Sequence, residues 1–328
     1  MVQGYTEHPR ETYSPTPMLQ SVRAMLSIAC EHGWAIKLAD VSTAFLHAAV
    51  VEPTFVEPPK CLMLPENVCW WLNKALYGLK SAPRSWNQHL AEVMMSGGWK
   101  QSVVEQSAFY HHTDGKLDGM VVVYVDDIIA CGHSQVVDDM FRHLQQCVTI
   151  PEVETLGSSN KVSFLGFDYY RKGGGVVIDP SVYVCKLLEA NGMLMCKPLS
   201  TPGVCEKECD DDRKVLGVGD HKIFRRVVGQ LLWLGVVRPD IKFAVKELSK
   251  RVHQPRVGDA RRAKRLLRYV AGTRDMACLI RPTGNDSGQA KIDVWTDADL
   301  GGCDDTRRST SGGVIFLNGA MIHVWSKQ

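Results

Sequence analysis

The sequence contains no run of eighteen or more apolar residues, and its opening, MVQGYTEHPRETYSPTP, is polar and broken by proline. Neither a membrane span nor a signal peptide is therefore expected, and a membrane partner is excluded with them. Its 11 cysteines include no CxxC pair and no His-spaced set, which argues against a zinc site or a disulfide framework and leaves reduced, mostly buried thiols. Low-complexity text is absent: hydrophobic residues make up 45% and charged residues 23%, as in an ordinary globular chain. The 328 residues suffice for two or three domains. Net charge is nearly absent as well, at +2, too little for a uniformly basic nucleic-acid binder.

That average hides an asymmetry. Residues 221–274 hold fifteen Lys and Arg against three acids, a local charge of +12 that leaves −10 for the rest. A basic face of this kind suits phosphate contact, while a solvated helix surface is the plainer alternative.

Hydrophobic periodicity predicts a helix over 18–34, with Leu19, Val22, Met25, Leu26 and Ala29 on one face and Gly33 as its stop. A strand ending near Asp40 follows, and prolines at 53, 58, 59 and 65 then mark a loop or irregular hairpin. Another helix, NQHLAEVMMSGG, comes after LYGLKSAPRSW. The clearest strand pair is MVVVYV and IIACGH, with Asp126 and Asp127 as the connecting turn. The helix DDMFRHLQQCV and a second hairpin, turning at glycines 173–175, complete the order strand, helix, strand, strand, helix, strand. That order predicts an α+β fold with a ferredoxin-like, split βαβ core. An acidic surface linker is expected over 199–220, then three helices, the last of which (DARRAKRLLRYVAGT) packs Ala260, Ala263, Leu266, Leu267 and Val270 on one side and carries arginines on the other. Strands return from Lys291.

An Asp-Asp pair in a turn is weak evidence for chemistry, because Asp favours turns for backbone reasons. Asp40, at the end of another apolar strand, strengthens it. Carboxylates converging from neighbouring strand ends are what a two-metal nucleotidyl transfer needs, and oxygen-only ligands point to magnesium, with manganese as the substitute.

At this point IKLADVSTAFL (36–46), LYGLKSAPRSW (76–86) and YVDD (124–127), with FLGFDYYRKGGGVVID, LMCKPLSTP, VVGQLLWLGVVRPDIKFAV and RYVAGT in order behind them, resemble the reverse transcriptase of copia-type retrotransposons. VWTDADLGGCDDTRRSTSGGVIFLNGAMIHVWSKQ resembles the opening of the linked RNase H domain. The resemblance implies an RNA-directed DNA polymerase with a palm and partial fingers over 1–198, a linker and helical thumb or connection over 199–285, and an incomplete RNase H-like domain over 286–328. It implies Asp40 and Asp126 as the main ligands of two magnesium ions, with Asp127 auxiliary. Phe45 would lie beneath the incoming sugar and select deoxynucleotides, and Tyr77, Gly78, Lys80, Ala82 and Pro83 would shape the nucleotide pocket. Phe164, Leu165 and Gly166 would steady the primer end, Arg261, Arg262, Lys264, Arg265 and Arg268 would contact the nucleic-acid backbone, and Asp297 would be the first RNase H carboxylate.

The implied partners are an RNA template, a DNA primer, the RNA/DNA hybrid, dNTPs, and the integrase, protease and remaining RNase H of a parent Pol polyprotein. The implied location is a cytoplasmic virus-like particle or the nucleus. Basic finger residues are expected before the first residue and further RNase H acids after Gln328. Val237 stands where the family has Thr, and Asp179 with Pro180 where it has Ser-Gln. An inactive retroelement remnant that at most binds nucleic acid is the alternative. A nucleotide cyclase would not account for LYGLKSAPRSW.

Overall fold

The computed structural model describes residues 13–65, 67–203, 209–284, 289–303 and 306–328. It is a mixed helix and sheet structure that divides into two compact units, one of residues Met1–Met25 and His32–Leu156, the other of Leu26–Glu31 and Gly157–Gln328. No helix among the described residues is long and apolar enough to cross a membrane.

Helix α1 (Leu19–Glu31), which belongs to the first unit as far as Met25, has Val22 and Met25 buried and is closed by Gly33, whose φ of 64° suits glycine. Strand β1 (Ala35–Asp40) buries Ile36 and Leu38 on alternate positions. The proline-marked stretch holds a short antiparallel pair, β2 (Phe55–Val56) with β3 (Trp70–Trp71). Helix α2 (Ala82–Ser96) begins inside LYGLKSAPRSW, earlier than expected, because Pro83 occupies its first turn, where a missing N–H costs nothing.

Next come β4 (Lys100–Gln101), β5 (Ala108–Thr113), β6 (Lys116–Tyr124), β7 (Asp127–Gly132), helix α3 (Ser134–Cys147) and β8 (Val153–Thr155). They form one antiparallel sheet in the order β4-β5-β6-β7-β1-β8. Its four right-hand strands, with α2 and α3, are the split βαβ arrangement: the second and third strands pair as a hairpin and the first lies between the third and the fourth. The fourth strand is Val153–Thr155, three residues too few to show as an alternation, whereas the glycine hairpin belongs to another sheet. The core under this sheet joins Trp86, Leu90 and Met94 of α2 and Val137, Phe141 and Leu144 of α3 to Val121, Val123, Ile128 and Ala130 of the central hairpin. Gly132 is required by close approach, since a Cβ there would lie 2.5 Å from the Asp118 carbonyl oxygen.

The second unit opens with β9 (Val162–Phe164), β10 (Phe167–Lys172) and β11 (Gly175–Asp179), so the expected single hairpin is a three-stranded meander. Its turns are Leu165–Gly166, with φ of 52° and 80°, and Gly173–Gly174, with φ of 56° and 76°. Helices α4 (Ser181–Ala190), α5 (Val218–Leu234), α6 (Lys242–Ser249) and α7 (Val257–Gly272) follow, and β12 (Cys278–Ile280) adds to the edge at β11. A separate antiparallel sheet consists of β13 (Ile292–Asp299), β14 (Thr310–Leu317) and β15 (Ala320–Lys327).

The acidic stretch is less of a solvated linker than its composition implies. Asp212, 2% exposed, accepts hydrogen bonds from the Cys209 N–H and from Arg261. The two departures at Asp179 and Val237 also have structural roles: Asp179 accepts the Ser181 N–H at the start of α4 and pairs with Lys161, and Val237 is buried.

Candidate active site

The β6–β7 turn is displaced by one residue from the expected Asp126–Asp127. Tyr124 pairs with Asp127, so Val125 and Asp126 form the turn and Asp127 is the first residue of β7. Val125 takes a φ of 58° while Asp126 is not among the positive-φ residues, the II′ pattern whose first central position normally needs glycine. A β-branched residue there is strained, and such strain concentrates at working sites.

Asp40 and Asp127 are register partners on adjacent antiparallel strands. Residues so paired have Cα atoms about 4.5–5.5 Å apart and side chains on the same face. Asp126 joins them through its backbone: its carbonyl oxygen accepts the Val41 N–H at 2.9 Å. Burial, then the charges of Asp126 and Asp40, push Asp127 up to about 6. Asp40 is also raised, by burial first and then by Asp126. No Lys or Arg figures among the causes of either shift, and an all-oxygen donor set of this kind fits a hard divalent cation. Among the described residues no three His, Cys, Asp or Glu side chains already converge on one point, so gripping a shared ion requires side-chain rotation on this fixed backbone.

The segment after Asp40 is strapped down. Ser42 N–H donates to the Thr149 carbonyl at 2.9 Å, and the His47 ring lies within 3.1 Å of the Ser42 carbonyl. It leads into a short 3-10 helix, Ala44–His47, which presents a half-buried Phe45. The Phe45 and Tyr77 rings lie 4.6 Å apart at a tilt of 48°, so two residues of separate motifs share one surface. Gly78 turns with a φ of 101°, Lys80 is exposed, and buried Ala82 with half-buried Pro83 opens α2.

One residue absent from the expected set is held against this site. Trp86, 2% exposed, donates its indole Nε1–H to the carbonyl of Val125 at 2.6 Å. It stands at the end of LYGLKSAPRSW, and a buried Trp in need of a hydrogen-bond acceptor was the signal available to find it.

The remaining expected residues belong to the second unit and are described within it. Buried Phe164 ends β9, and Leu165–Gly166 is the tight turn after it. On α7, Arg261 donates to Asp212 at 2.7 Å, Arg262 to Asp259 at 3.2 Å, Arg265 to Thr201 at 2.9 Å and Arg268 to the Lys197 carbonyl at 2.7 Å. Much of that positive charge therefore fastens the preceding segment to the helix, while Lys264 is exposed. Asp297 is exposed on β13.

A family model described as reverse transcriptase (RNA-dependent DNA polymerase) matches residues 1–205. The Retrovirus-related Pol polyprotein from transposon RE1 of Arabidopsis thaliana is 31% identical over 338 residues, which span 100% of this chain and 22% of that protein. A transposon Ty5-1 protein of Saccharomyces cerevisiae is 30% identical over 294 residues, 88% of this chain and 92% of its own length. The Pol polyprotein from transposon TNT 1-94 of Nicotiana tabacum is 27% identical over 327 residues, and this chain spans 24% of it.

Proposed function

The chain belongs to the reverse transcriptase (RNA-dependent DNA polymerase) family, among copia-type Pol proteins, and from that premise we propose that it carries the polymerase core that joins dNTPs to a primer 3′-OH on an RNA template. The observation that supports this most is the cross-strand pairing of Asp40 with Asp127 beside the Asp126 turn, with the carboxyls of Asp40 and Asp127 raised by burial first and then by neighbouring carboxylate charge. In this reading β1, β6, β7 and β8 with α2 and α3 are the palm, and the segments around β2 and β3 belong to partial fingers. The helices α5 to α7 form the thumb or connection, and β13 to β15 with Asp297 an RNase H-like sheet.

Asp40 and Asp126 would hold two magnesium ions, with Asp127 assisting; the chemistry such ions would supply is a lowered pKa for the primer hydroxyl and neutralisation of the departing pyrophosphate. The chain's own contribution is position. The paired strands set the spacing of the acids, and the Phe45 ring, backed by Tyr77, closes the space a 2′-hydroxyl would occupy. Exposed Lys80 faces phosphate, and the Phe164–Gly166 turn steadies the primer end. Arg261, Arg262, Lys264, Arg265 and Arg268 supply backbone contact where they are not engaged within the protein. The partners are template RNA, primer DNA, their hybrid, dNTPs, and the integrase, protease and RNase H portions of a Pol polyprotein, in a virus-like particle or the nucleus.

Primer extension with magnesium, comparing the chain with Asp126→Ala, tests the assignment. Extension by the first and none by the second is expected, and equal signal from both would overturn it.

A further inference from the structure

The Val125–Asp126 turn is held by its carbonyls from two sides. The Asp126 carbonyl is taken by the Val41 N–H, which follows Asp40 directly, at 2.9 Å. The Val125 carbonyl is taken by the Trp86 indole at 2.6 Å, across 39 positions of sequence. Val125 is the strained residue, with a φ of 58°. Left alone, a β-branched residue relaxes toward negative φ, and the peptide that carries its carbonyl rotates with it. A donor fixed at that carbonyl opposes the rotation. Trp86 is well fixed: it is 2% exposed, sits within α2, and has the His47 and His89 rings beside it at 6.2 and 6.1 Å.

We infer that Trp86 is a positioning residue whose N–H locks the strained turn, so that the backbone of Asp126 and Asp127 is held beside Asp40, from where the three side chains can rotate onto a shared ion. The inference rests on the polymerase reading of the acid cluster, and it goes beyond that reading by assigning the last residue of LYGLKSAPRSW a task at the YVDD turn. The plainer account is that a buried indole N–H simply needs an acceptor. That account predicts a loss of stability alone.

The two separate by experiment. Trp86→Phe keeps an aromatic ring and removes the donor, while Val125→Gly removes the strain. Trp86→Phe is expected to lower kcat for magnesium-dependent extension roughly ten- to a hundredfold, the scale of a small misplacement of reacting groups, with the dNTP KM nearly unchanged. It should also shrink the rise in unfolding midpoint that magnesium gives the wild type, a readout that needs no turnover. Adding Val125→Gly to Trp86→Phe should recover most of both, because a glycine turn needs no lock. An unaltered kcat and magnesium shift in Trp86→Phe, or no recovery in the double variant, would overturn the assignment.

If wild type and Asp126→Asn extend primer equally, the polymerase reading falls and the magnesium shift still decides the role of Trp86. No magnesium shift in the wild type overturns both. Where Trp86→Phe does not fold, the indole Nε1–H NMR signal of Trp86 in the wild type carries the test: magnesium is expected to move it, and an unmoved signal overturns the inference.

Discussion

Arg238 grips Asp240 through two parallel hydrogen bonds, Nε to Oδ1 at 2.9 Å and Nη2 to Oδ2 at 2.7 Å, with the arginine 1% exposed. The same guanidinium donates to the carbonyl and hydroxyl of Thr273, and the Tyr269 hydroxyl donates to Asp240. The ArgProAsp and RYVAGT segments thus interlock through a satisfied polar network.

Removing Arg238 takes two of Asp240's donors away and leaves it, half-buried, with the Tyr269 hydroxyl alone. Arg238→Met is expected to destabilise the second unit by about 3 kcal/mol, the low end for breaking a buried pair because Asp240 keeps some solvent contact. Arg238→Lys should lose less, since it keeps the charge and forfeits the two-pronged geometry. Urea denaturation of each variant checks this, and equal midpoints for wild type and Arg238→Met would contradict it.

The acid cluster gives a pH dependence of definite sign. The folded-state pKa of Asp127 is raised from 3.8 to about 6, so its protonated form is the one folding favours. The stability it contributes is therefore complete below its unfolded value and is lost as pH climbs through about 6. Asp127→Asn, permanently neutral, should melt at a higher temperature than the wild type at pH 8 without divalent ions, and at a similar temperature near pH 4. A constant difference between the two pH values would contradict the shift.

Phe45→Ala removes the ring that packs on Tyr77 at 4.6 Å. The expected result is a roughly ten- to hundredfold fall in the preference for dNTPs over rNTPs, measured as the ratio of their kcat/KM values. Unchanged sugar discrimination would detach Phe45 from the nucleotide pocket.

On α7 the basic residues should divide by their contacts. Arg261→Ala leaves buried Asp212 with the Cys209 donors but no counter-charge from α7 and is expected to lower the unfolding midpoint, whereas exposed Lys264→Ala should leave stability alone. If Lys264 touches phosphate, its loss flattens the salt dependence of duplex binding by about one unit of slope. Charge reversal at Arg261, Arg262 and Arg265 together would then weaken duplex binding partly by loosening the helix from Asp212 and Thr201.

Local pattern made much of the fold readable in the sequence. The central hairpin shows because Val121 to Val123 and Ile128 to Ala130 are apolar runs with a polar turn between them, and α1 and α3 show because their apolar residues recur at helical spacing. The turn register did not show. Asp favours turns in general, and only the pairing of Tyr124 with Asp127 reveals that Val125 takes the costly position. The adjacency of β1 and β7 is a tertiary fact that no alternation encodes. Trp86 stands in a motif whose glycine, lysine and proline carry the local signal, while its one polar atom reaches a backbone group far along the chain. The arginines of α7 read as a solvated or ligand-facing stripe because charge at helical spacing does not disclose an acid such as Asp212 folding back onto it.

The placement of β1 between β7 and β8 governs when the acids meet. Both neighbours of this strand are translated long after it, so Asp40 leaves the ribosome well before the hairpin bearing Asp126 and Asp127 exists. Pairing must wait for a large loop to close, which makes the assembly of this sheet a late and slow event in folding. A nascent chain halted before residue 127 therefore has no complete carboxylate trio.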